Sequence, residues 1–114
     1  MAVVGPVALV AAVCACGVTD RQILEVLALS ADERSLELMV ASCNGSPSPT
    51  ARVDENGDRV VVRVTGGTTN GDCADTVCIE LDRPLDGRTL IDATTDTPVP
   101  LVADKLDSSF VGCP

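Results

Sequence analysis

Phe110 is the only aromatic residue in a chain of 114, which contains no Trp, Tyr or His. A core must therefore be assembled from Val, Leu, Ile and Ala, without the large buried areas that aromatic rings contribute. Val and Thr are plentiful after residue 50, and β-branched side chains fit a pleated, half-buried surface better than a helix. A small core of aliphatic side chains leaves a domain close to the stability threshold, so covalent cross-links become important. The six cysteines are the obvious source of them.

The first seventeen residues differ from the rest. Val3 to Val13 is apolar apart from Gly5 and Pro6, and every charged side chain of the chain lies after Gly17. The stretch is shorter than the roughly 20 apolar residues that span a bilayer and matches the apolar part of a secretory signal. Val13-Cys14-Ala15-Cys16 then places small residues at a cut after Ala15, with a branched apolar residue three before the new N-terminus. This resembles the lipobox of bacterial lipoproteins, in which the cysteine at the position of Cys16 carries a diacylglycerol anchor. Met1-Ala2-Val3-Val4 lacks the Lys or Arg that normally opens such a leader. Without a His or a second close cysteine pair, Cys14 and Cys16 do not form a metal-site pattern. The expected organisation is a signal peptide over 1–15, a tether over 16–21 and a single β domain over 22–114. Removing the first 15 residues leaves 99, the size of one domain.

Within that domain, alternation places the strands. Leu36, Leu38 and Val40 alternate with Glu37, Met39 and Ala41, the period of a half-buried strand over Ser35–Ser42. Gln22–Leu29 fits either a helix opened by Asp20 or a strand. The short connection Ser30–Arg34 to a clear strand favours a hairpin. Asn44–Pro49 reads as a loop. Thr50–Glu55 and Arg59–Thr65 flank Asn56-Gly57, the strongest short-range hairpin signal in the chain. In the second of these strands Val60, Val62 and Val64 face one way, and Arg59, Val61, Arg63 and Thr65 the other. Gly66–Asp75 is a polar loop. Thr76–Asp82 follows, with Val77, Ile79 and Leu81 inward and Cys78, Glu80 and Asp82 outward. Arg83–Gly87 supplies a proline-led turn, Arg88–Asp92 a short strand, and Val99–Ala103 an edge strand limited by Pro98 and Pro100. The predicted fold is all-β: a small antiparallel β-sandwich or open barrel of about six to seven short strands, disulfide-stapled, after an N-terminal signal segment.

With Cys14 removed and Cys16 acylated, Cys43, Cys73, Cys78 and Cys113 remain, and four cysteines allow three pairings. Cys43 follows one strand and Cys73 precedes another, so both sit at strand ends. Cys78 lies mid-strand on the outer face, where a crossing tail can bring Cys113 to it. The expected bridges are Cys43–Cys73 and Cys78–Cys113. Thiol redox chemistry is disfavoured, because Cys73 and Cys78 lack the Cys-x-x-Cys spacing and no basic residue or His adjoins them.

Several segments recur together in a known pattern. They are Ser42-Cys43, Ala51-Arg52-Val53-Asp54-Glu55, Val60-Val61-Val62-Arg63-Val64 and Asp72-Cys73-Ala74-Asp75. They lead into Val77-Cys78-Ile79-Glu80-Leu81-Asp82-Arg83-Pro84-Leu85 and Arg88-Thr89-Leu90-Ile91-Asp92. Across residues 35–102 the chain resembles a group of small secreted proteins and lipoproteins of high-GC Gram-positive bacteria, which have no assigned function. The group has Gly-Asp where this chain has Asp86-Gly87. The resemblance implies Cys43–Cys73 as the shared bridge, makes Cys78 and Cys113 an additional pair, and implies no activity.

The residues argue against several function classes. A formal charge of −9 repels nucleic acid and anionic headgroups. General acid–base work usually recruits His, and here carboxylates alone are available. Gly66-Gly67 has no Lys or helix signal behind it and is no phosphate loop. Asp54-Glu55-Asn56-Gly57-Asp58 lacks the ligand spacing of a calcium loop and reads as a hairpin turn. Arg83 and Arg88 flank the Pro-Leu turn, with Arg83 placed to pair with Asp92. No catalytic residue, cofactor or metal ligand is expected. The chain reads as an exported, lipid-anchored, non-enzymatic β domain whose partners are the membrane, through its anchor, and an envelope protein or other envelope component. Two alternatives belong to other classes: a carboxylate-dependent extracytoplasmic hydrolase using Asp72 and Asp75, and an extracytoplasmic calcium-binding module.

Overall fold

A computed structural model describes residues 19–42, 48–67, 74–101, 106–107 and 109–114. The expected leader, Cys14, Cys16, Cys43, Asp72 and Cys73 lie outside the described residues, so the expected cut, lipidation and Cys43–Cys73 bridge do too.

Eight strands run in chain order among the described residues: β1 Thr19–Arg21, β2 Ile23–Leu29, β3 Ser35–Val40, β4 Thr50–Asn56, β5 Arg59–Gly66, β6 Asp75–Glu80, β7 Thr89–Asp92 and β8 Thr97–Pro98. The all-β expectation holds, as an open half-barrel of two sheets. One sheet is β2-β3-β6, antiparallel throughout. In the other, β5 is central, with β4 along one edge and β7 and β1 sharing the opposite edge. Only Gln22 separates β1 from β2, so one strand bends from the larger sheet into the smaller and joins them at a corner.

The inward rows follow the alternation read from sequence. Leu36, Leu38 and Val40 of β3 face Val60, Val62 and Val64 of β5, and all six side chains are fully buried. Val77, Ile79 and Leu81 join them from β6 and its end, and Leu85 from the turn beyond. Each such burial stabilises by about 1.5–3 kcal/mol.

The β4–β5 hairpin is regular. Asn56 pairs with Arg59 across a two-residue turn, and Gly57, at a φ of 63°, takes the first central position that a II′-type turn reserves for glycine. The β2–β3 hairpin is not regular. Its register shifts twice, between Ile23 and Glu25 and between Val26 and Ala28.

Three expectations need correction. Thr19–Arg21 is no tether: it pairs antiparallel with Val64–Gly66, and Asp20 forms an ion pair with Arg63. A short segment beside an unpaired length of β5 gains backbone hydrogen bonds by extending, so the folded unit starts before residue 22. The sheets are also not purely antiparallel, since β7 runs parallel to β5 over Arg59–Val62. The long excursion through β6 returns the chain in the direction of β5, as a crossover permits. Finally, the last strand among the described residues is Thr97–Pro98, and of the expected Val99–Ala103 strand the described Val99–Leu101 lie in no strand while Val102 and Ala103 lie outside the described residues. Val99 still donates its amide to Leu90, at 2.8 Å.

Candidate functional site

Cys78 lies opposite Glu37 in the β3–β6 ladder, half-buried on the outer face. The tail crosses to it. Asp107 donates its amide to Leu29, Cys113 donates its own to Glu80 at 3.2 Å, and a disulfide joins Cys78 to Cys113. The expected second pair therefore forms. This disulfide is compatible with an extracytoplasmic location, where such bonds persist. Among the described residues no helix is long and apolar enough to cross a membrane.

Asp75 opens β6, half-buried, and its proposed partner Asp72 lies outside the described residues. Asp54 to Asp58 form the end of a hairpin, and among the described residues no three His, Cys, Asp or Glu side chains gather as a metal would require.

Arg83 and Asp92 do not pair. Asp92 is 2 % exposed at the end of β7, where its two carboxylate oxygens accept the amides of Ile23 and Thr94, each at 2.9 Å. Its carboxylate thus secures the first residue of β2 at the corner between the sheets. Arg83 instead donates a long bond of 3.4 Å to the Gly57 carbonyl. The ion pair belongs to Arg88, whose Nη2 lies 3.0 Å from Glu55 of β4, with both side chains largely buried. Arg88 also donates to the carbonyls of Arg83, Pro84 and Leu85, so its guanidinium holds the turn together. Partial burial pushes the Glu55 carboxyl up, but the Asp82 amide donating to it and the adjacent Arg88 more than offset this, holding it below the ordinary glutamate value.

Shallow clefts open among the described residues, three of them beside residues considered above. One of about 300 Å³ lies between Gly57, Asp58, Arg83, Pro84, Asp86 and Arg88. Its two arginines face two aspartates, and Arg88 is already committed to the turn. Another of about 200 Å³ separates the Ser30–Asp32 loop from Phe110 and Val111. The largest, about 390 Å³, lies on the outer face of the β4–β5 hairpin and is lined by Thr50, Ala51, Arg52, Arg63 and Thr65. Here Arg52 stands directly opposite Arg63, and Thr50 opposite Thr65. Like charges directly opposite on a sheet destabilise it. Asp20 relieves Arg63, whereas Arg52 has no ion-pair partner among the described residues.

Sequence reasoning missed the opposed arginines, although the signal was present: counting outward from a turn at Gly57-Asp58 puts residues 52 and 63 side by side. The Glu55–Arg88 pair had no such local signal. No family model, no curated protein and no solved structure matches the chain.

Proposed function

We propose that the chain is an exported, lipid-anchored, non-enzymatic β domain of the cell envelope, acylated at Cys16 and acting by contact with another protein or envelope component. The observation behind this reading is how the polar groups are used. Among the described residues, the buried Asp92, Glu55 and Arg88 each bond to this chain's own backbone, Glu55 and Arg88 neutralise each other, and only Arg88 lines a cleft, whereas catalytic sites gather such groups in a pocket. The Val13-Cys14-Ala15-Cys16 segment and the likeness to secreted proteins and lipoproteins of high-GC Gram-positive bacteria support the location. The Cys78–Cys113 bond suits an oxidising compartment.

Mass spectrometry of the membrane fraction tests the reading. The expected species begins at Cys16, carries a diacylglycerol on that residue, and yields a Cys43–Cys73 peptide without reduction. A soluble, unmodified chain that retains its leader refutes it.

A further inference from the structure

The first described strand opens at Thr19, so only residues 17 and 18 lie between it and an acylated Cys16. A chain reaches at most about 3.6 Å per residue, which keeps Thr19 within about 11 Å of the anchored residue. This is close to the Debye length of roughly 8–10 Å at physiological ionic strength, so charges beside β1 feel the headgroups. Thr19 pairs with Gly66, and Arg63, three residues back along β5 at about 3.3 Å per residue, lies about 10 Å from that end. The cleft between Arg52 and Arg63 therefore lies within about 21 Å of the anchored residue, near enough to reach the headgroups when the domain leans toward them.

We propose that the outer face of β1, β4 and β5, centred on Arg52 and Arg63, rests on the phosphate headgroups of an anionic bilayer and sets the orientation of the domain. The proposal deepens the reading of Cys16 as the lipidated residue and rests on it. Two guanidinium groups and the hydroxyls of Thr50 and Thr65 line a cleft of about 390 Å³, a set of donors suited to phosphate oxygens. A phosphate beside Arg52 supplies the counter-charge that Asp20 already supplies to Arg63.

Charge distribution points the same way. Arg52, Arg59 and Arg63 are exposed on this hairpin and are three of the eight cations in the chain. Asp20, Asp54 and Asp58 balance them, so the face is near neutral on a molecule of net charge −9. That net charge keeps a free chain away from an anionic surface. Once a lipid holds the chain there, the same repulsion turns the acidic remainder outward and leaves this face inward.

The test uses the full chain, processed in a lipoprotein-acylating host, extracted, and reconstituted in vesicles of phosphatidylcholine with or without phosphatidylglycerol. Modification by phenylglyoxal is followed at Arg52, with the exposed Arg34 as internal reference. Phosphatidylglycerol is expected to slow modification of Arg52 at least five-fold relative to Arg34, and 0.5 M salt to reverse this. In Arg52→Glu, protection of Arg59 should disappear. Equal rates at Arg52 and Arg34 in both vesicles overturn the proposal while leaving the anchor intact. Equal protection of Arg52 by inorganic phosphate without vesicles also overturns it, by revealing an ion site instead of a membrane face. An N-terminal peptide without an acyl group overturns this proposal and the anchor together.

Discussion

The two hairpins of the half-barrel are built in opposite ways. The β4–β5 hairpin has unbroken register and a two-residue turn in which Gly57 supplies the left-handed conformation at no steric cost. The β2–β3 hairpin has two register shifts and a five-residue loop, in which Glu33 takes a φ of 61° without being glycine. That conformation is held from outside. The carbonyl of Glu33 accepts the Leu85 amide and its carboxylate the Asp86 amide, both at 2.8 Å. Within the loop, Ser30 donates to Asp32 and accepts from the Ser35 amide, which lowers the Asp32 carboxyl pKa together with the Arg34 amide. One hairpin is specified by its own residues and the other by its neighbours. Bulges and local strain persist where the surrounding structure over-determines them.

Perturbations at a distance should therefore loosen the second hairpin and spare the first. The largest effect is expected from removing the disulfide on the smaller sheet. Cys78→Ser with Cys113→Ser opens a loop of 35 residues and should lower stability by up to about 4 kcal/mol in the chain-entropy model. Hydrogen exchange should accelerate over residues 23–40 more than over 50–66. Equal acceleration in both would mean that the hairpins open as one unit.

Asp92→Ala comes next. It leaves the buried Ile23 amide and the Thr94 amide without their acceptor, at a cost of about 2–3 kcal/mol. Urea denaturation reads the loss, and β2 should exchange faster while β4 does not. A variant within experimental error of the parent would mean that the Asp92 carboxylate does not secure the corner.

Gly57→Ala reverses the pattern. Open space surrounds the missing Cβ, so the cost is the left-handed backbone alone, about 1 kcal/mol, confined in hydrogen exchange to the β4–β5 turn.

The smallest effect is a pH dependence. The Glu55 pKa is lowered on folding, so its contribution is present above the unfolded glutamate pKa and is lost as pH falls through the folded value. Thermal melts should show stability declining below the ordinary glutamate range, with a shallower decline in Glu55→Gln. Parallel pH profiles for the two proteins would assign the acid sensitivity elsewhere.

Much of this architecture was legible beforehand because it is periodic. Val60, Val62 and Val64, or Leu36, Leu38 and Val40, declare a buried face by spacing alone. Cys78 declared its outward position by sitting between Val77 and Ile79, and that position made Cys113 a reasonable partner. The candidate site was less legible. Arg52 and Arg63 become neighbours only once the turn is centred on Gly57-Asp58, and Arg88 could not be assigned to Glu55 from 33 residues away.

The amino-acid sequence by itself determined strands β2 to β7, their inward rows and the β4–β5 pairing, since each depends on residues a few positions apart. Only the tertiary structure decided that Thr19–Arg21 joins the sheet, that β7 runs parallel to β5, and that Asp92 secures the corner. Those outcomes depend on which unpaired backbone groups meet across the closing half-barrel, and no local pattern encodes the distance between them.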